Sequence, residues 1–191
     1  MESLVPLTPS HPDPAVVERW LDALAAQPWG EAGRVALLVA TPRPKEHVAQ
    51  EAVRVVPGKG LVEDHRRKSF YLGKHVPGRE VSAIALETCR TLGVDPVLVG
   101  DNLITEGLDL AELEPGDRVR VGEEVVLARS WREHRPCSVF RQRTSAEAFA
   151  VVRQRRLRGA LFVVERAGAI RMGDPMVRIG GHYDPERPPH V

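Results

Sequence analysis

Residues 99–128, VGDNLITEGLDLAELEPGDRVRVGEEVVLA, decide the fold. The stretch opens inside an apolar run, PVLVGDNLIT (96–105), that reads as a strand. Pro115, Gly116 and Asp117 then supply a turn, and RVRV (118–121) alternates basic and apolar residues at the period of a half-buried strand. After Gly122, EVVLARS (124–130) reads as the next strand. Short strands joined by glycine and proline turns point to an antiparallel architecture. A doubly wound sheet is excluded, because no strand leads into a glycine-rich loop that opens a helix.

The flanks read in the same way. RVALLVA (34–40) is a buried strand bounded by Gly33 and by Pro42 and Pro44, and EAVRVV (51–56) is a second. A long basic loop occupies 57–78, a length that marks a functional segment in a compact domain. REVSAIA (79–85) reads as a strand, and LETCRTLG (86–93) as a short helix closed by Gly93. Region 138–156 reads as helical, with Phe149 and Val152 on one face. RGALFVVERAGAIRMGDPMVRIG (158–180) closes as strand, turn, strand, turn, strand. GDRVRVG (116–122) and GDPMVRIG (173–180) echo each other, too briefly to be a repeat. Near the start, Asp13 is placed to cap a helix that has Pro14 in its first turn. Val16, Val17, Trp20, Leu21 and Leu24 form its apolar face, and it ends near Gln27-Pro28. The expected class is α+β and mainly β: a closed or partly open β-barrel with a few peripheral helices. The expected organisation is a helical arm over 1–32, a barrel domain over 33–180 and a frayed tail over 181–191.

Of the 191 residues, 42% are hydrophobic and 28% charged, an ordinary balance for a soluble domain. The net charge of +1 hides an uneven distribution. Between Arg129 and Arg158 nine arginines face Glu133 and Glu147, a local field that attracts anions. The two cysteines, Cys89 and Cys137, form no disulfide framework, and no secretion signal or membrane span is read. The expected compartment is the cytoplasm, with no membrane partner. No nucleic-acid recognition motif is present, so nucleic acid is not an expected partner.

Cys137 lies in WREHRPCSVFRQR (131–143), among arginines and three residues after His134. Cations favour the thiolate, and a thiolate is the soft ligand that transition metals take. The plainer reading is a small buried hydrophobe, and that is the reading for Cys89 in its apolar helix. Most of the arginines read as a solvated helix face. Arg158, directly before Gly159 at the mouth of a strand, is a better candidate for an anion contact. Asp101 and Asn102 sit where a strand passes Gly100, which alone reads as turn chemistry. His65 and His134 belong to no His-Glu-x-x-His or Cys-x-x-Cys pattern, so a protein-only zinc site is not expected.

Together these pieces resemble the MOSC family, named for the C-terminal domain of molybdenum cofactor sulfurases, over roughly 33–180. GKGLVEDH looks like its Gly-x-x-Gly-Asp loop, and REVSAIALETCRTLG like the strand and helix that follow. VGDNLITEGLDLAELEPGDRVRVGEEVVLA is the most specific match. HRPCSVF is similar to the cysteine loop, and RLRGALFVVERAGAIRMGDPMVRIG to the closing strands. The resemblance implies a MOSC-type barrel and a bound molybdenum cofactor (molybdopterin), with Cys137 as the metal ligand. It also implies an oxidoreductase that reduces N-hydroxylated small molecules, with Cys137 as its catalytic residue. Arg158, Arg135, Asn102, Asp101, His134, His65 and Arg66 are the expected cofactor contacts. No iron–sulfur cysteine cluster and no flavin or nicotinamide fingerprint is present, so such a reductase would need a separate electron-donating chain. The alternatives are a non-redox cofactor or sulfur carrier with a persulfide on Cys137, and a divergent barrel that binds no cofactor. Glu63 stands where the family often has a second glycine. A glutamate forced to positive φ is costly, so this loop is expected to take another path.

Overall fold

The computed structural model describes residues 11–66, 68–71, 74–154 and 156–184. The proline-rich start, Arg67, Arg155 and residues 185–191 of the expected tail lie outside them. The chain opens with α1 (Pro14–Ala25), whose N-cap Asp13 accepts the Ala15 N–H, with proline in the first turn as the sequence predicts. It continues through β1 (Ala32–Ala40), β2 (Val48–Gln50), β3 (Ala52–Val56) and β4 (Gly60–Leu61). The basic loop then carries a small hairpin, β5 (Phe70–Tyr71) and β6 (Lys74–His75). Next come β7 (Val81–Ala85), α2 (Leu86–Leu92), β8 (Leu103–Glu106), β9 (Asp117–Val121) and β10 (Val125–Arg129). Helices α3 (Ser138–Arg143) and α4 (Ala146–Val152) precede β11 (Ala160–Arg166), β12 (Gly168–Arg171) and β13 (Pro175–His182).

Seven strands close a barrel in the order β13, β9, β10, β11, β7, β8, β1 and back to β13. Strand β1 makes closure possible by changing partners along its length. Ala32–Arg34 pairs with β13, Arg34–Leu38 with β8, and Leu38–Ala40 with β2. A register shift between Val35 and Leu37 bends it, which is how a strand turns a barrel corner. All pairings around the ring are antiparallel except β7 with β8. Parallel neighbours need a crossover, and α2 provides it. Gly93 ends α2 in the left-handed conformation (φ 63°), as its place in the sequence predicts. The two echoing segments are β9 and β13, which pair antiparallel with Met176 opposite Val121.

Strand alternation sorts the apolar residues into two cores. Val35, Val81, Ala83, Leu103, Leu127 and Phe162 fill the barrel. Val39, Ile84 and Ile104 point outward and meet Leu24, Cys89, Phe140, Val151 and Val152 under the helices. Val17, Trp20 and Leu21 of α1 pack on this outer core, and Asp13 N bonds to Glu147 Oε1 (3.2 Å). The arm is therefore docked on α2 and α4. Strand β13 continues to His182, two residues beyond the expected end of the barrel domain.

Two local expectations give way to side-chain chemistry, and a third, on Glu63, holds. PVLVGDNLIT is strand only from Leu103, because Asp95 closes a turn over 95–99 by accepting Val97 N (2.8 Å) and Gly100 takes φ 83°. The helical region 138–156 is two short helices. Thr144 is extended, its hydroxyl donates to Phe140 O (2.8 Å), and Ser145 caps α4 by accepting Ala148 N (3.0 Å). Glu63 is absent from the described non-glycine residues at positive φ, which are Lys45 and Arg156. Gly58 and Gly60 supply the turn, and the Glu63 carboxylate accepts Arg54 N (3.2 Å). Among the described residues no helix is long and apolar enough to cross a membrane.

Candidate functional site

The parallel pair β7–β8 and the entrance of β11 set one end of the site. Gly159 (φ 97°) carries the chain so close to Ala83 that a Cβ there would collide with the Ala83 carbonyl. That approach buries Arg158, the residue just before it, where its guanidinium pairs with Asp101. Both side chains are nearly inaccessible, at 6% and 1%. The Arg158 guanidinium also lies 4.9 Å over the Phe140 ring. On the other oxygen of Asp101, His134 Nε2 stands at 3.4 Å. Burial pushes the Asp101 carboxyl up, against the pull of Arg158. Burial, with Arg158, Arg79 and Arg129 nearby, holds His134 well below the ordinary imidazole range, so it is neutral.

A second buried group sits alongside. Asp64 Oδ1 accepts Thr41 N (2.6 Å), and its Oδ2 accepts the Asn102 amide (2.9 Å) and faces Lys68 Nζ at 3.2 Å. Asn102 also donates to Val39 O and accepts from the Ser82 backbone and hydroxyl. Its amide is thus saturated by protein partners. Asn102 thereby ties three segments of the wall together. Burial lowers the Lys68 ammonium, with Asp64 opposing.

These groups line a cleft of about 210 Å³. Cys137 stands at its edge, exposed, as the N-cap residue of α3 with no capping bond from its side chain. Lys68, Arg79, Arg135, Arg143 and Arg158 bring positive charge to the cleft, and Asp101 is the carboxylate among its lining residues. Four buried atoms around it have no hydrogen-bond partner: Lys68 Nζ, Asp101 Oδ1, His134 Nδ1 and Arg158 Nε. Buried polar atoms are rarely left so, and two of these, Lys68 Nζ and Arg158 Nε, are N–H donors of basic side chains, which suits an anionic occupant. Among the described residues no three His, Cys, Asp or Glu side chains converge as a metal cage.

The structure brings Cys137, Arg158, Asp101, Asn102, His134 and Arg135, all named from the sequence, to one cleft. Arg135 is at the rim, largely exposed and forked to Glu133 (2.8 Å). His65 and Arg66 lie elsewhere, in a smaller pocket of about 130 Å³ that shares only Lys68 and Ser69 with the cleft. The sequence reading missed Lys68, Arg79, His47 and the role of Arg143. His47 reaches the cleft over Gly100, and Arg143 donates to Leu98 O (2.9 Å). The available signal was the four-residue spacing of Asp64 and Lys68, which suits an ion pair within the basic loop.

Two measurements follow from this geometry. Cys89 is buried and its thiol pushed up to about 12, mainly by burial, whereas Cys137 is exposed. Iodoacetamide should label Cys137 alone in the folded protein and both thiols in denaturant, read by mass spectrometry. Fast labelling of Cys89 in the folded state would contradict the packing.

The second concerns acid. The unfolded chain binds a proton at His134 near the ordinary imidazole value of 6.5, and the folded chain does not. Stability contributed by His134 is therefore complete above that value. It falls by about 1.4 kcal/mol per pH unit below it, until the folded value is reached. His47, also lowered by burial, Arg143 and Lys68, acts in the same direction but is partly solvated. The raised Asp101 acts oppositely, so the difference between wild type and His134→Gln isolates the histidine. Urea midpoints from about pH 7.5 to 5.5 should fall more steeply for the wild type. Parallel curves would refute a neutral, buried His134.

The fold and site define a seven-stranded barrel with a cationic, thiol-edged cleft at one end of its parallel strand pair. The chain belongs to the MOSC domain family, whose model matches residues 74–177, more than half of its length. The matched span holds Asp101, Asn102, His134, Cys137 and Arg158 but not His47, His65, Arg66 or Lys68. The YuaD protein from Bacillus subtilis is similar in structure at 21% identity, covering 80% of this chain and 97% of that one, with a TM-score of 0.62. A solved hypothetical protein is similar at 18% identity over 80% of this chain and 70% of its own, with a TM-score of 0.60. YiiM from Escherichia coli matches at 19% identity over 79% and 72%, with a TM-score of 0.54. At these identities the likeness is one of fold. Among curated proteins none matches the chain.

Proposed function

We propose that the cleft holds a molybdenum cofactor and that the protein is an oxidoreductase that reduces N-hydroxylated small molecules. Cys137 is its protein ligand to the metal. The observation that carries this reading is one exposed thiol at the edge of a cationic cleft in which the buried Arg158, though paired with Asp101, keeps an idle Nε. The pterin cofactor brings its own sulfur ligands and a phosphate, so it needs one thiolate and an anion cradle from the protein. The residues present fit that need. Lys68, Arg79 and Arg143 supply charge for the phosphate, and Asp101 holds Arg158 in place through a buried pair. Neutral His134 fills the wall beside Asp101 without adding charge. When bound, the cofactor supplies two-electron chemistry. A separate reductase chain would supply the electrons, and both cysteines being free suits a cytoplasmic setting.

The exposure of Cys137 also suits the second reading, a non-redox carrier with a persulfide on that sulfur. Protein purified from a cofactor-competent host should contain near-stoichiometric molybdenum and reduce a hydroxylamine with an artificial electron donor. Molybdenum without turnover would favour the carrier, and molybdenum-free protein from such a host would refute both cofactor-holding readings.

A further inference from the structure

Behind His134 and Arg135 lies a larger cleft of about 470 Å³, which these two residues share with the first. Its size falls in the range of about 300–1,000 Å³ common to small-molecule sites. Four arginines line it: Arg129, Arg135, Arg153 and Arg156. The carboxylate among its lining residues is Glu133, already engaged by Arg135, and Arg156 Nη1 donates to Glu114 Oε1 (2.9 Å), a half-exposed pair that leaves its other N–H groups for a ligand. Arg129 is 4% exposed, and its Nη1 donates to Arg132 O (2.8 Å) and to the Ser130 carbonyl. Its Nε is buried with no hydrogen-bond partner. Arg129 thus brings to the lining a guanidinium with an idle N–H, the kind of donor an anion engages.

Arg156 adds an independent sign. It takes the left-handed conformation, φ 58°, which glycine adopts freely and arginine does not. Its carbonyl accepts Gly159 N (2.9 Å), so the turn that delivers Arg158 to the first cleft holds Arg156 at the second. Backbone strain held in place this way concentrates at functional sites. The remaining wall is apolar: Pro136, Phe149 and Val152. The Phe149 ring carries the Arg153 guanidinium at 5.8 Å and that of Arg141 at 5.6 Å, so a bound ring would stack on the guanidinium plane of Arg153. The sequence reading placed most of the arginines of this region on a solvated helix face, and the turn after α4 brings Arg153 and Arg156 to this cleft.

We propose that this cleft is a second binding site, for an oxyanion carried on an apolar, ring-sized body such as an aryl phosphate or aryl carboxylate. It does not depend on the molybdenum reading, and its test needs no metal. The purified chain is titrated calorimetrically with phenyl phosphate, benzoate, inorganic phosphate and benzyl alcohol. Phenyl phosphate or benzoate should bind, about tenfold or more tighter than inorganic phosphate, with affinity falling as salt rises. Benzyl alcohol, which has no charge, should not bind measurably. Arg156→Gly should weaken the aryl anion about tenfold while keeping the fold, because glycine takes φ 58° without strain. Arg153→Gln should act in the same direction. Arg143→Gln, confined to the first of these two clefts, should leave the affinity unchanged. Wild-type affinity in both Arg156→Gly and Arg153→Gln would overturn the proposal, as would loss in Arg143→Gln alone or no aryl anion binding at all. Equal affinity for phenyl phosphate and inorganic phosphate would overturn the apolar half.

Discussion

Cys137→Ser should fold like the wild type and lose hydroxylamine reduction down to the level of metal-free protein. The swap is nearly isosteric and the side chain is exposed, so stability should move by no more than about 0.5 kcal/mol. The chemical change is larger. A hydroxyl stays protonated near neutral pH and is a hard oxygen donor, whereas molybdenum in this setting favours sulfur. Removing groups that merely orient a ligand costs about 10–100-fold in metal affinity or activity, and losing the ligand itself should exceed that. Pterin should be partly retained, because the cationic wall is untouched. Cys89→Ser is the matched control. It buries a hydroxyl in the outer core at a cost of about 1–3 kcal/mol if unpaired, and it should keep full turnover. Molybdenum content, the sulfur count by X-ray absorption, and turnover are the readouts. A Cys137→Ser protein that keeps its sulfur count and its rate would remove Cys137 from the metal.

Much of the barrel was legible because its signals are local. The period-two pattern of β9, the apolar run of β1, the cap of α1 and the left-handed Gly93 each follow from residues within one element. The failures came where side chains competed with the backbone. Asp95 and Gly100 shortened the strand before Leu103, and Thr144 and Ser145 divided one expected helix into two. The site divides along the same line. Cys137, His134 and Arg158 carry local signals: a basic setting for the thiol and a strand mouth for the arginine. Lys68 and His47 come from irregular loops that only the closed fold brings to the cleft. The Asn102 amide meets Asp64, Val39 and Ser82 at once, a set of partners from three separate segments that one sequence does not disclose.

The buried Arg158–Asp101 pair carries the largest expected stability effect. Arg158→Ala leaves Asp101, 1% exposed, without its guanidinium partner. Breaking such a pair from one side costs about 3–5 kcal/mol, because the remaining charge is buried and uncompensated. The lost packing against Phe140 adds to this. Asp101 makes the loss depend on pH. Burial already raises its carboxyl above the ordinary 3.8, and loss of Arg158 removes the main force holding it down. Above 3.8 the unfolded chain releases that proton while the folded variant keeps it, so the variant loses stability as pH rises toward the folded value. The deficit relative to wild type should therefore be full above the variant's folded value and should shrink on acidification below it, by up to about 1.4 kcal/mol per pH unit. Both proteins contain His134, so comparing them at each pH largely removes its opposing acid effect. Arg158→Gln combined with Asp101→Asn removes both charges and should recover most of the stability. Urea unfolding across this range is the measurement. A deficit below about 1 kcal/mol, or one that grows on acidification, would mean that the pair is not buried as one unit. Recovery in the double variant, with cofactor retention still reduced, would assign Arg158 both tasks: neutralising Asp101 and offering its idle Nε to the anion.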